Sequence, residues 1–561
     1  MWTSFGTAVA QLLLTYVQYL PMTGADWAIL ALRASSMHQV EPTVPIAVAD
    51  APAVAAAPGP FHWRPCPDHA DDPRYQCGFL TVPLNHLDPA NNATLDIAVQ
   101  KYISNAKSPL GTILLNPGGP GGAGTSMATP DMLAITGGQY DVLGFDPRGI
   151  GMSRPIRCSK NGFTAALEAA ASENVDVPFG RRAATDADID SYASNFALPL
   201  ARCHLYDGDY LPYLSTAFVA RDMDLIRAAL GQDLMHYYGI SYGTFLGATY
   251  VNMFPDKVGR MIIDSVLDPE VYTGPTTDLL ERSVKDNDEA FIAFTDQCES
   301  AGPSLCPLAD ANATRPYLMS RIQAFLAKVE RDPLVVPGGS DIALVTKSQI
   351  RSEILGSLYS PHAAWPPLAA KLHQMMTGNY SVPVTNESCD SLDAPLGTGM
   401  ASIAYIGNDG SPSAKLNWTA ALQHCAKIAP LTGVEGFANL VAAKLWTTRP
   451  VERYAGPWGK NYTNKVLILN NEVDPATPLV GAKNVHRLMG DHSVLVVREG
   501  YGHGAAFSQP SACIASLMVD FYNHGKYPNT TFCKIDATPF TAPPTSAAVA
   551  LAAHLRNKVL Y

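Results

Sequence analysis

The sequence predicts an α/β protein: a mostly parallel, doubly wound sheet carrying a large helical insertion. Three observations predict it. Short apolar runs ending in Gly/Pro loops alternate with helical patterns between residues 112 and 264. The rhythm then changes, from about 270 to 455, to helical segments broken by Pro/Gly-rich loops. Beyond that block apolar runs resume at Val466–Asn470 and Ser493–Val497.

Taken in order, the chain opens with an apolar stretch at Val9–Leu20, interrupted by Gln11 and Gln18, and a second at Trp27–Leu32. No Lys or Arg precedes Arg33. Residues 1–36 are expected to be an irregular signal or leader, and the Pro/Ala/Val-rich residues 37–60 a linker. The folded part is expected to begin near Phe61-His62-Trp63, with early strands at Leu80–Val82 and Leu95–Tyr102. Four further runs read as buried strands: Thr112–Asn116, Tyr140–Asp146, His236–Ile240 and Val258–Asp264. Residues 61–269 thus form the first part of the core. In the insertion, Leu279–Phe294, Pro316–Glu330 and Lys347–Leu358 read as helices, and residues 270–455 as a cap over the sheet. Residues 456–536 complete the core, and 537–561 read as a tail.

Bulk properties narrow the function. The 561 residues are 47% hydrophobic and 16% charged, with a net charge of −11 and no long charge runs. That is globular composition without a nucleic-acid footprint. No later stretch has the roughly 18 uninterrupted apolar residues of a membrane span. The ten cysteines are even in number, and none has zinc-ligand spacing with histidines. Sequential pairing would give Cys66–Cys77, Cys158–Cys203, Cys298–Cys306, Cys389–Cys425 and Cys513–Cys533, although spacing alone does not fix connectivity. N-x-S/T sequons occur at Asn92, Asn312, Asn379, Asn386, Asn417, Asn461 and Asn529. Together they argue for secretion through an oxidising, glycosylating route.

Chemistry concentrates in three places. Gly239-Ile240-Ser241-Tyr242-Gly243 is a G-x-S-x-G strand-to-helix turn that would expose Ser241 as a nucleophile. A serine hydroxyl needs a base, and the base needs a group to orient it. Asp474, just past the strand Val466–Leu469, is the expected orienting acid, with Glu472 as fallback. His503, in Gly500-Tyr501-Gly502-His503-Gly504, is the expected base. The order Ser, acid, His suits a sheet of this kind. Third, Asn116-Pro117-Gly118-Gly119-Pro120-Gly121-Gly122 follows an apolar strand. Its backbone is expected to supply one N–H to an oxyanion, most directly Gly119 with Gly118 as neighbour, while Tyr242 supplies the other. A phosphate-binding loop of the P-loop kind does not fit, because G-K-[ST] is missing.

With these motifs in hand, LLNPGGPGGAG, DVLGFDPRGIGMSRP, STAFVARDMDLIRAALG, GISYGTFLGATY, NNEVDPATP and GYGHG together resemble the secreted tripeptidyl-aminopeptidase-like α/β-hydrolases, relatives of the proline iminopeptidases. The resemblance spans about residues 61–536. It implies an α/β-hydrolase sheet with a helical cap, a Ser241–Asp474–His503 triad, and release of short N-terminal pieces from peptides; hydrolysis through an acyl-enzyme on such a triad is expected to need no cofactor or metal. Asp146-Pro147-Arg148-Gly149 matches the family's D-P-R-G turn and implies structural support near the site. The glycine loop begins Asn116-Pro117, as in the tripeptidyl branch, where iminopeptidases usually carry His before Gly-Gly. An exopeptidase of this kind also needs a carboxylate for the substrate's α-ammonium group; Asp286, Asp288 and Glu289 are candidates. The same scaffold hosts esterases and lactonases acting on small metabolites, and a scaffold without catalysis is a third, different class.

Overall fold

The computed structural model describes residues 59–158, 185–310, 317–337, 342–379, 398–411, 417–433, 440 and 442–541. The leader, nearly all of the linker and the tail beyond 541 lie outside these residues. Ten strands form one sheet in the order β1-β2-β3-β5-β4-β6-β7-β10-β11-β12. They are β1 (His62–Arg64), β2 (Tyr75–Pro83), β3 (Thr94–Tyr102), β4 (Thr112–Asn116), β5 (Asp141–Phe145), β6 (Met235–Ser241), β7 (Val258–Val266), β10 (Val466–Val473), β11 (Ser493–Tyr501) and β12 (Phe532–Cys533). From β1 to β5 the pairing is antiparallel; every pair from β5–β4 onward is parallel. The central parallel strands β4, β5, β6, β7 and β10 are buried on both faces, which is why they read as continuous apolar runs. β4 is buried throughout.

Alternate residues serve two cores, as the two-residue side-chain period of a strand requires. Ile113, Leu115, Tyr238, Ile262, Leu467 and Leu469 face one way, packing with Ile514, Met518 and Phe521 of the helix Ala512–His524. Leu114, Leu143, Tyr237, Met261, Ile263 and Ile468 face the other, toward Val219, Met223, Phe245 and Leu246. Each such fully buried aliphatic side chain contributes about 1.5–3 kcal/mol.

The chain reverses direction across the sheet at β4, whose neighbours β5 and β6 lie on its two sides. Crevices beyond the C-terminal ends of strands at such a point are where open α/β sheets bind ligands. β4 ends there in the glycine loop and β6 in Ser241.

Helices α1 (Asp186–Asp207), α2 (Thr216–Ala229) and α3 (Tyr242–Met253) precede β7. Between β7 and β10 the described residues form helices joined by loops, with one hairpin, β8 (Leu334–Pro337) with β9 (Ile342–Val345). The main helices there are α4 (Thr276–Ser283), α5 (Asn287–Ala301), α6 (Tyr317–Arg331), α7 (Lys347–Leu358), α8 (Pro361–Thr377), α9 (Thr398–Asp409) and α10 (Trp418–Ile428). One expected helix, Leu279–Phe294, is two. The backbone leaves the helix at Asp286 (φ −102°, ψ 4°), and Asp288 and Glu289 open the second helix, where acidic groups suit its positive end. Helices α5 to α8 and the hairpin build a third core around Phe294, Ile322, Leu358 and Trp365, which also takes in Val473 and Phe540. Helices α9 and α10 instead join the core on the α2–α3 side of the sheet, through Tyr405, Trp418 and Leu422.

Four of the five expected disulfides are present: Cys66–Cys77, Cys158–Cys203, Cys298–Cys306 and Cys513–Cys533. Cys389 lies outside the described residues; Cys425 is buried and has no disulfide to a described residue. Asn92, Asn379, Asn417, Asn461 and Asn529 are all exposed, while Asn312 and Asn386 fall outside the described residues. Among the described residues no helix is long and apolar enough to cross a membrane.

Candidate active site

Ser241 ends β6 and stands immediately before α3, with φ 59° and ψ −127°. A non-glycine residue held at positive φ stores strain that its surroundings must impose. Here the imposing contacts are tight. A Cβ at Gly239 would lie 2.5 Å from the Gly243 carbonyl, so the turn closes only with glycine there. Tyr242, as the first residue of α3, has an N–H with no intrahelical acceptor.

The glycine loop presses on this turn. Gly118 has φ +93°, and a Cβ there would come within 2.5 Å of the Ile240 carbonyl, 2.8 Å of the Ser241 Cβ and 2.9 Å of the Tyr242 nitrogen. The Gly118 N–H donates to Asn116 Oδ1 at 3.0 Å. Its own donor is therefore taken, and the next N–H in the loop belongs to Gly119, which is exposed.

Asp474 follows β10 and is fully buried; His503 follows β11. The ring Nδ1 lies 3.0 and 3.1 Å from the two Asp474 oxygens. Asp474 also accepts the N–H groups of Ala476 (2.9 Å) and Thr477 (2.8 Å), and the Thr477 hydroxyl (3.0 Å). Burial pushes this carboxyl up, but the His503 ring and the N–H donors outweigh it and hold it below the usual carboxylate range. Glu472, the fallback acid, is exposed and accepts the Gly500 N–H at 3.1 Å, away from the ring.

The His503 loop is fastened to the strand beside Ser241. Ser241 is paired with Val266 of β7. From the same end of β7, Ser265 Oγ accepts the Gly504 N–H at 2.6 Å, and Asp264 accepts those of Ala505 (2.7 Å) and Ala506 (3.0 Å). The insertion packs on this residue: the Tyr359 carbonyl accepts the His503 main-chain N–H at 2.8 Å, and the two rings meet edge-on at 5.0 Å.

Of the cap acids, Asp288 accepts from Leu431 N, Thr432 N and the Thr432 hydroxyl, and so ties two cap segments together. Glu289 is exposed. Asp286 is buried and lies in reach of the Asp474 main-chain N–H; burial, with help from the Asp474 charge, pushes its carboxyl up to about 6. The D-P-R-G turn is structural. Asp146 accepts the Thr125 N–H and hydroxyl, and the fully buried Arg148 pairs with Asp222 at 2.6 and 2.8 Å, with His86 alongside.

Thr477, Tyr359, Asp264 and Ser265 were not singled out from the sequence. Thr477 alone carried a signal there, because an Asp followed three residues later by Thr just before a helix reads as a turn whose side chains bond the backbone. The other three take their places through contacts between distant segments.

Two family descriptions match the chain: "alpha/beta hydrolase fold" over residues 111–288 and "TAP-like protein" over residues 429–533. Among curated proteins, the chain is 28% identical over 473 residues to "Tripeptidyl aminopeptidase" of Streptomyces coelicolor, covering 81% of this chain and 82% of that one. It is 27% identical over 502 residues to "Serine protease Hip1" of Mycobacterium tuberculosis (84% and 90% covered). Over 489 residues it is also 27% identical to "Carboxylesterase B" of the same organism (81% and 85% covered).

Proposed function

The chain being an α/β-hydrolase of the tripeptidyl-aminopeptidase-like group and a serine hydrolase, we propose that it is a secreted aminopeptidase that releases short N-terminal peptides through an acyl-enzyme on Ser241. The observation that carries this reading is the contact of His503 Nδ1 with both Asp474 oxygens at 3.0 and 3.1 Å. It fixes the tautomer that leaves Nε2 as the proton acceptor. Ser241 Oγ bonds the scissile carbonyl carbon as its proton passes to His503 Nε2. The N–H groups of Gly119 and Tyr242 stabilise the oxyanion. The C–N bond then breaks as His503 returns the proton to the leaving amine. Water, giving its proton to His503, releases the peptide acid and restores Ser241.

The free α-ammonium of the substrate is assigned to Asp286. Of the three it is the buried one whose carboxylate is not taken up by main-chain donors of the cap; the half-exposed Lys285 ammonium is 3.8 Å away, and Asp474 lies beside it. Secretion is supported by four disulfides and by five exposed sequons.

The test is kinetic. Ser241→Ala is expected to abolish turnover without loss of fold, and a serine-reactive probe to label only the wild type. Retained activity in that variant would remove Ser241 from its role. A panel of tripeptidyl amides, their N-acetylated forms and short-chain esters separates the second reading, an esterase on small metabolites, which the carboxylesterase-named relative favours. N-acetylation stops an aminopeptidase and leaves an esterase indifferent.

A further inference from the structure

We propose that Asp409, from the inserted helical segment, is a positioning residue for this reaction: through Thr216 it holds the Tyr242 side chain, and with it the main-chain N–H that follows the nucleophile. The inference rests on the reading of Ser241 and Tyr242 given above.

Three elements meet at this point. Asp409 is the last residue of α9, Thr216 the first of α2 and Tyr242 the first of α3. All three side chains are buried. Thr216 donates its hydroxyl to Asp409 Oδ2 at 2.6 Å and its N–H to Asp409 Oδ1 at 3.0 Å. A threonine hydroxyl has one proton. With the carboxyl ionised, as it is above about pH 7, that proton goes to the carboxylate, and the 2.5 Å contact between Thr216 Oγ1 and the Tyr242 hydroxyl leaves Tyr242 as donor. The chain of hydrogen bonds therefore runs one way, from Tyr242 through Thr216 to Asp409, and the carboxylate at its end strengthens both links.

Neither end of this chain is loose. Arg453 Nε donates to the Asp409 carbonyl at 2.6 Å, and the same guanidinium donates to the Thr273 carbonyl. The Tyr242 ring lies between Tyr272 and Tyr405, at 5.8 and 6.0 Å. Tyr405, on α9 with Asp409, donates to the Arg148 carbonyl at 2.7 Å. A rotation of Tyr242 would therefore break contacts to α2 and to the insertion together. The Tyr242 N–H belongs to the same residue, so its aim at an oxyanion is set by a group in the cap. Burial pushes the Asp409 carboxyl up to about 7, so the fold keeps an acid where an apolar group would pack without that penalty.

The experiment compares Tyr242→Phe, Asp409→Asn, their double variant, Thr216→Val and Thr216→Ser. kcat and KM are measured on a tripeptidyl amide and normalised to sites titrated with a serine-reactive probe. Each single variant except Thr216→Ser is expected to lower kcat about tenfold with KM unchanged, less than direct loss of an oxyanion donor. The double variant should be no worse than the poorer single one, and Thr216→Ser should stay near wild type. Multiplying losses in the double variant, or full kcat in Tyr242→Phe, would overturn the relay. If Asp409→Asn does not fold, Tyr242→Phe and the two Thr216 variants decide alone. Ser241→Ala is run beside them. Residual turnover there overturns the nucleophile and the relay together; a dead Ser241→Ala beside an unaffected Tyr242→Phe overturns the relay alone.

Discussion

Gly118 lies so close to Ser241 that a Cβ on the glycine would come within 2.8 Å of the serine Cβ, at a φ of +93° that side chains rarely adopt. Gly118→Ala therefore has to push the glycine loop off the elbow. The Gly119 N–H moves with it, and kcat is expected to fall by about two orders of magnitude, as when an oxyanion donor is lost. Steady-state kinetics on titrated active sites would measure this. An alanine variant with normal kcat would mean that the loop takes no part in the reaction.

Thr477 touches both partners of the acid–base pair, at 3.0 Å from Asp474 Oδ2 and 3.2 Å from His503 Nδ1. Thr477→Val keeps the shape and removes the hydroxyl, leaving a buried carboxylate oxygen one donor short. A loss of kcat of about tenfold is expected, restored by Thr477→Ser, with KM little changed. A valine variant at full rate would assign the hydroxyl to packing alone.

Substrate binding should depend on pH from two sides. Asp286, raised to about 6 by burial, has to be ionised to attract an ammonium group. An α-amino group loses its charge near about pH 8. KM for a free tripeptidyl amide should therefore be lowest near pH 7 and rise on both sides. KM for an ester without an amine should stay flat. Asp286→Asn should raise the first KM and leave the second alone; equal effects on both would remove Asp286 from amine recognition.

The Asp409 carboxyl, at about 7 in the folded protein, stands well above the unfolded value of about 3.9. Between those values the folded state binds the extra proton, so stability is fully present below about pH 4 and is lost as pH rises through about 7. Asp409→Asn lacks this titration. Its stability relative to wild type should therefore grow by about 1.4 kcal/mol per pH unit across that window. Denaturant unfolding of both proteins at several pH values would measure the slope, and parallel curves would contradict the assignment.

The sheet was legible because its central parallel strands are buried on both faces. Thr112–Asn116 and Val466–Asn470 need no partner to be recognised as apolar runs stopped by turn residues. Ser241, Asp474 and His503 were legible as candidates for a related reason: each lies within a few residues of the C-terminal end of an apolar run. The helices were less so. The helix α8 has Pro366 and Pro367 in its interior and α1 has Pro199, which read as breaks although tertiary packing carries the helices through them. Of the three cap acids, the sequence offered no way to choose, because what separates Asp286 from Asp288 is the placement of residues 431, 432 and 474, all more than a hundred positions away. Asp409 and Thr216 are 193 residues apart, and no local pattern joins them.

Strands β7 and β10 lie side by side, Ile262 against Leu467, although the whole helical insertion separates them along the chain. During synthesis, a nascent chain that has emerged as far as Val266 contains Ser241, while Asp474 and His503 are still to be translated. On the proposed mechanism the serine gains its acid and base only once β10 and β11 have docked, so the order of the chain itself would keep a partly built protein from turning over substrate.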